Sequence, residues 1–296
     1  MPIPEEERAF VAKQFEDLTG PVKIDYFHQT ESTVMVAGRR PCISCEGTKE
    51  VLEELAGLSE KITLTIYEFP DERELAAKNK IEIPPGIVVR GEINRPIRIV
   101  GMPGGIFMPL LIQSILSSAG KPPDPPSEMK TTLKKLRTTT LLRVIGSMMD
   151  PALGDAAIAA IALSLLSDKI DATIFNLDEF PDLGMQLGLT HSPATVINDA
   201  HGFAGVTTAE ELVRYLYDLE AHPDHADLKP PAVAPGSTHP WQPPASPDQQ
   251  PAPPPGPSSG PPAGGPRRRQ PPPDASSSGG APAGMRRTSS GLVVPN

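Results

Sequence analysis

Proline placement restricts this chain more than any other feature. Of its 38 prolines in 296 residues, 21 lie from Pro223 onward. Proline has no N–H to give to a helix or a ladder. The same stretch holds the only tryptophan, Trp241, and few aliphatic side chains. It cannot offset its ordering entropy by burial. The sequence thus predicts a disordered Pro/Gly/Ser/Ala-rich tail over residues 221–296 and a folding part of about 220 residues, near the size of two ~100-residue units.

Two cysteines exclude a disulfide-rich scaffold. The segment Met1–Ala9 is acidic, with neither a basic nor an apolar leader region, so no signal peptide is expected. The longest apolar stretch, Ala156–Leu166, is too short for a bilayer span. The expectation is a cytoplasmic protein in a reducing compartment. Net charge is −9, and since the tail carries about +2, the folding part stands near −11. Its field repels nucleic acid and anionic lipid, so neither is an expected partner. Arg267–Arg269 and Arg286–Arg287, set among proline and glycine, read as solubilising or docking charges.

Periodicity divides the folding part into two similar halves. Glu5–Leu18 predicts a helix, with Phe10, Val11, Phe15 and Leu18 at helical spacing, stopped by Gly20-Pro21. Strands are predicted over Val22–His28, Thr33–Ala37, Ile62–Phe69, Ile87–Arg90 and Ile97–Val100, with helices over Glu46–Leu58, Asp71–Asn79 and Phe107–Ser118. The proline-stiffened stretch 121–128 predicts a linker between a first unit, residues 1–120, and a second, residues 129–220. The second unit repeats the order. It has helices over Met129–Leu136, Asp155–Leu166, Phe180–Leu187 and Thr208–Leu219, and strands over Leu141–Gly146, Ile170–Asn176, Ala194–Asn198 and Phe203–Val206. Strands alternating with helices predict an α/β sheet, and the repeated order predicts a duplication.

Both cysteines sit in one C-x-x-C, Pro41-Cys42-Ile43-Ser44-Cys45. Where such a motif opens a helix, the first thiol lies at the helix start and the second one turn on. Backbone N–H groups there stabilise a thiolate by roughly 0.3–1 kcal/mol. Arg39 and Arg40 act in the same direction. Cys42 is the expected attacking thiol and Cys45 the resolving one, and the sulfur pair is expected to be exposed at the helix start. Three other readings stand beside this one. A structural disulfide closes too short a loop to constrain much. A zinc or iron–sulfur site needs two more ligands, for which His28 and His191 are candidates, or a site shared across a dimer. Two inert thiols in helix packing are the remaining alternative.

Prolines stand where a redox C-x-x-C fold of thioredoxin type places a cis-proline opening the strand beside the dithiol. Pro85 precedes the strand 86–89, and Pro193, after Ser192, holds the matching place in the second half. The expected substrate groove comprises Pro85, Pro41, Ile43 and Ser44, with a second groove at Pro193 and Ser192.

The stretches PVKIDYF, CISCEGTKEVLEELAGLSEKI, IPPGIVV and IRIVGMPGGIFMPLLIQSIL resemble the tandem glutaredoxin-like protein disulfide oxidoreductases, over about residues 5–220. Gly101-Met102-Pro103-Gly104-Gly105 is similar to that family's glycine–proline turn. The resemblance implies two thioredoxin-like folds, each a mixed sheet flanked by helices, and thiol–disulfide exchange on protein disulfides. It implies electrons from a thioredoxin-reductase-like partner or a small thiol. Two departures stand out. The second unit carries Ser147-Met148-Met149-Asp150 where the family often has another C-x-x-C. About ten extra residues, near Thr30–Arg40, also precede Cys42.

No G-x-G-x-x-G after a strand, P-loop or H-E-x-x-H is present, so no nucleotide cofactor or hydrolytic metal is expected. As a coil the tail spans about 45–50 Å. It ends in Met285–Asn296, an apolar-basic peptide after a polar spacer. That is the layout of a tethered docking signal, as in cargo-loading peptides of bacterial protein shells, and equally of an unselected disordered end. Arg286-Arg287-Thr288-Ser289 suits a basophilic kinase. Two functions follow: a thiol–disulfide oxidoreductase acting through Cys42 and Cys45, or a non-catalytic tandem thioredoxin-fold adaptor recruited through its tail.

Overall fold

The computed structural model describes residues 3–30, 40–120, 122, 124–189 and 191–222, together with the short segments 285–287 and 293–295. The chain forms two compact units, Met1–Asp248 and Gln249–Asn296. The expected strand over Thr33–Ala37 lies outside the described residues. So does the expected disordered tail, apart from the two short segments and its first two residues.

In the first unit the elements run α1 (Glu5–Glu16), β1 (Val22–His28), α2 (Cys45–Gly57), β2 (Ile62–Glu68), α3 (Arg73–Lys78), β3 (Gly86–Arg90), β4 (Ile97–Val100) and α4 (Phe107–Ser118). They continue with α5 (Ser127–Leu133), β5 (Thr140–Gly146), α6 (Ala152–Leu166), β6 (Ile170–Asn176), α7 (Pro181–Gln186), β7 (Ala194–Ile197), β8 (His201–Ala204) and α8 (Ala209–Ala221). All eight strands form one mixed sheet in the order β2-β1-β3-β4-β6-β5-β7-β8. Its halves have the same internal plan. A first strand pairs parallel with the second and antiparallel with the third, which pairs antiparallel with the fourth. The halves join where β4 pairs parallel with β6, Arg98 opposite Thr173.

Strand alternation divides the core between the two sheet faces. On β1, Val22, Ile24 and Tyr26 join a cluster with α1, α2, α4, α6 and α8, while Phe27 joins a smaller one around α3 and Phe180. α6 is apolar on nearly every side because it is enclosed on several, packing against the sheet, α4 and α8. α8 starts as its sequence predicts, with Thr208 Oγ1 accepting the Glu211 N–H at 3.2 Å. No described helix is long and apolar enough to cross a membrane.

The prolyl bonds Pro84–Pro85 and Ser192–Pro193 are both cis, as their positions predict. In each half a glycine N–H after the fourth strand reaches the cis-proline carbonyl: Gly101 to Pro85 at 2.9 Å and Gly205 to Pro193 at 2.7 Å. Gly101 has φ +107°, and a Cβ there would meet Asn176 Cβ at 2.6 Å. Gly105 has φ +53°, and a Cβ there would lie 2.4 Å from the Met148 carbonyl oxygen. Both positions need glycine because the turn between β4 and α4 is pressed against the other half.

In the second unit, β9 (Met285–Arg287) pairs antiparallel with β10 (Val293–Pro295), Arg286 opposite Val294. Composition alone does not predict this pairing.

Candidate active site

Cys42 and Cys45 are joined by a disulfide, their Cα atoms 5.4 Å apart. The helix they introduce begins at Cys45 rather than at Glu46. Cys42 therefore precedes the helix instead of occupying its first residue, and the Cys45 N–H turns back to the Cys42 carbonyl at 3.4 Å. Ser44 holds the N-cap position without capping. Its hydroxyl donates to Glu179 Oε1 instead.

Cys42 is 4% exposed and Cys45 1%, where the sequence predicts an open sulfur pair. The segment between β6 and α7 meets the C-x-x-C through Ser44. Glu179 Oε2 accepts the Met102 N–H at 2.6 Å, and its carbonyl accepts from Arg40 Nη2 at 3.0 Å. Arg40 also pairs with Asp182 at 3.7 Å and stands over the Phe180 ring at 5.4 Å. Asn176 Nδ2 donates to the Met102 carbonyl at 3.1 Å. The cysteine-free half thus supplies part of the dithiol's surroundings.

Cys42 keeps an opening. With Pro41, Ile43, Pro84, Arg40 and Phe180 it lines a cavity of about 270 Å³. A second cavity of about 610 Å³ shares Phe69, Arg73 and Glu82 with the first and continues toward Arg143 on β5. Of the expected groove residues, Pro41 and Ile43 line the opening, and Ile43 is 84% exposed. Pro85 is buried, and its neighbour Pro84 faces the cavity in its place. Ser44 is turned away to Glu179.

Cys45 is fixed from below by β1. Tyr26 Oη donates to its carbonyl at 2.7 Å, and the Gln29 N–H donates to its Sγ at 3.2 Å. The Gln29 side chain also holds the Arg40 carbonyl at 2.8 Å, tying the loop to the strand end. Burial, with the charges of Glu179 and Glu46, drives the ionisation of Tyr26 far above the usual phenol range, although the Thr48 side chain opposes this. Its hydroxyl therefore stays a donor throughout the working pH range.

In the second half, the residues at the C-x-x-C place make polar contacts. Ser192 Oγ donates to Asp150 at 2.8 Å, and Ser147 Oγ donates to Asp178 at 2.9 Å. Ser192 is exposed, whereas Pro193 is buried. Of the two histidines considered as metal ligands, His28 pairs with Glu68 at 3.1 Å and His191 is exposed next to Ser192. Among the described residues no group of three His, Cys, Asp or Glu side chains is arranged to hold a metal ion.

Glu179, Phe180, Gln29, Phe69 and Arg73 are the site residues that sequence reasoning did not find. Glu179 and Ser44 are 135 residues apart, and no local spacing encodes their contact.

No family model matches this chain, and no curated protein matches it. Among solved structures it is similar to the NTD_N/C domain of alkylhydroperoxide reductase AhpF from Enterococcus faecalis. The TM-score is 0.64 at 19% identity, over 73% of this chain and 100% of that one. It is also similar to a protein disulfide oxidoreductase from Aeropyrum pernix, with TM-score 0.62 at 18% identity, over 73% of this chain and 93% of that one. At these identities the likeness is one of architecture: the chain has a thioredoxin-like α/β fold.

Proposed function

We propose that this protein is a thiol–disulfide oxidoreductase acting on protein disulfides, with Cys42 as nucleophile and Cys45 as resolving thiol. One observation carries the reading. The only two cysteines are paired at the head of α2, and Cys42, the one before the helix, lines the cavity. In the reduced protein the Cys42 thiolate attacks a substrate sulfur, forming a mixed disulfide and releasing the other substrate sulfur as a thiolate. Cys45 then attacks Cys42 Sγ, restoring the internal disulfide and freeing the second substrate sulfur. The substrate receives two electrons, and a thioredoxin-reductase-like partner or a small thiol returns them. The cleft running from Cys42 past Phe69 and Arg73 is the proposed path of the substrate chain. The proposed domains are residues 1–120, which carry the dithiol, and residues 129–220, whose Ser192–Pro193 edge serves recognition.

Insulin reduction tests this reading. With dithiothreitol as donor, the wild-type protein accelerates precipitation of the insulin B chain, and Cys42→Ser abolishes the acceleration. Equal rates with wild type, Cys42→Ser and no protein would overturn the proposal.

A further inference from the structure

The folding part stands near −11, yet cations line the cleft that opens at Cys42. Arg73 lines both of its cavities, and Lys80 and Arg143 line the larger one. Phe69, Ile81, Leu141 and Phe175 give that larger cavity aromatic and aliphatic walls. Apolar walls with a few charged groups suit a polypeptide segment that carries both kinds of side chain.

The charges along the cleft differ in what they already hold. Arg143 pairs with Asp199 at 2.6 Å and with Glu82 at 3.0 Å. Lys80 pairs with Asp171, and Arg40 with Asp182 at 3.7 Å. Glu179 accepts from the Met102 N–H and the Ser44 hydroxyl. Arg73, the first residue of α3, is exposed and has no carboxylate or hydrogen-bond partner among the described residues. It is the one charge lining the cleft that is left for a ligand among those residues.

Arg73 also shares with Cys42 the smaller cavity, about 270 Å³. A substrate whose cysteine meets Cys42 there brings residues near that cysteine to the guanidinium. At physiological salt, exposed charges more than about 8 Å apart are largely screened. A side chain in the cleft therefore responds to Arg73 more than to the acidic body as a whole. A guanidinium takes a carboxylate through two parallel N–H···O bonds.

We infer that Arg73 selects protein disulfides whose cysteine has a glutamate or aspartate close to it in sequence, by pairing with that carboxylate in the cleft. This rests on the exchange reaction proposed above and names its substrate class. The carboxylate is held before any S–S bond changes, so the selection acts on KM rather than kcat. At an exposed site its size is a few-fold.

Reduction of disulfide-linked peptide dimers by the full-length protein, with dithiothreitol as donor, tests the inference. Three peptides of one apolar sequence differ only in the residues flanking their single cysteine: glutamate, glutamine or lysine. The wild-type KM for the glutamate peptide should be about three- to fivefold below that for the glutamine peptide. The lysine peptide should be the poorest, and about 0.5 M salt should shrink the differences. Arg73→Gln should bring the glutamate-to-glutamine ratio to about 1, and Arg73→Glu should reverse the order in favour of lysine. Lys13→Gln, which removes an exposed cation from α1, should keep the wild-type ratio. A ratio unchanged in Arg73→Gln, or lowered equally by Lys13→Gln, would overturn the inference and leave the exchange reading standing. So would slower reduction of oxidised glutathione by Arg73→Gln with an unchanged peptide ratio, which would mark a small disulfide as the occupant. Failure of the wild-type protein to reduce any of the peptides would overturn the exchange reading, and the inference with it.

Discussion

At the scale of single residues, the site is governed by what surrounds each sulfur. Glu179 brings a carboxylate from the second half to the Ser44 hydroxyl, at the same helix end that favours a Cys42 thiolate. A like charge beside a thiolate disfavours it. Glu179→Gln is therefore expected to speed iodoacetamide alkylation of reduced Cys42 at pH 6 by roughly three- to tenfold. An unchanged rate would remove Glu179 from the electrostatics of the site. Tyr26 acts on position. Removing its hydroxyl leaves the Cys45 carbonyl buried without that donor, so Tyr26→Phe should cost about 1–3 kcal/mol in urea unfolding of the oxidised protein.

At the scale of elements, the turn between β4 and α4 lies close against the other half. Gly105 sits at φ +53° with no room for a Cβ beside the Met148 carbonyl. Gly105→Ala combines a left-handed backbone penalty with a backbone clash and should destabilise by about 2–4 kcal/mol, read as a fall in denaturant midpoint. Much of the element plan is legible in the sequence. Phe107–Ser118, Ile97–Val100 and Ile170–Asn176 have the bounds that the sequence predicts. The head of α2 is less legible. Ser44, expected in the groove, gives its hydroxyl to a residue from the other half, and the helix starts one residue before the expected Glu46. The expected exposure of Cys42 also fails, and the segment that meets the C-x-x-C belongs to a half read as separate.

At the scale of the whole molecule, the β4–β6 seam makes one sheet of two halves with the same strand plan. Asp171 on β6 meets Arg98 on β4 at 2.7 Å and also pairs with Lys80. Arg98 is buried and donates to the Asn79 carbonyl at 2.6 Å. Burial opposes the charge of Asp171, but Lys80 and Arg98 prevail and hold its carboxyl below the usual range. A lowered folded value contributes stability that is complete above about pH 4 and is lost as the pH falls through that value. Asp171→Asn leaves the buried guanidinium without its counter-charge and should cost about 3–5 kcal/mol at pH 7. Its unfolding free energy should also fall less steeply than wild type's below about pH 4. We propose that this joined sheet presents its one sulfur pair to a visiting polypeptide. Trapping with Cys45→Ser tests it most directly. Incubated with a disulfide-bonded protein, this variant should accumulate a covalent complex through Cys42 that dithiothreitol dissolves. Absence of any such complex, or an equal yield from Cys42→Ser, would contradict the account.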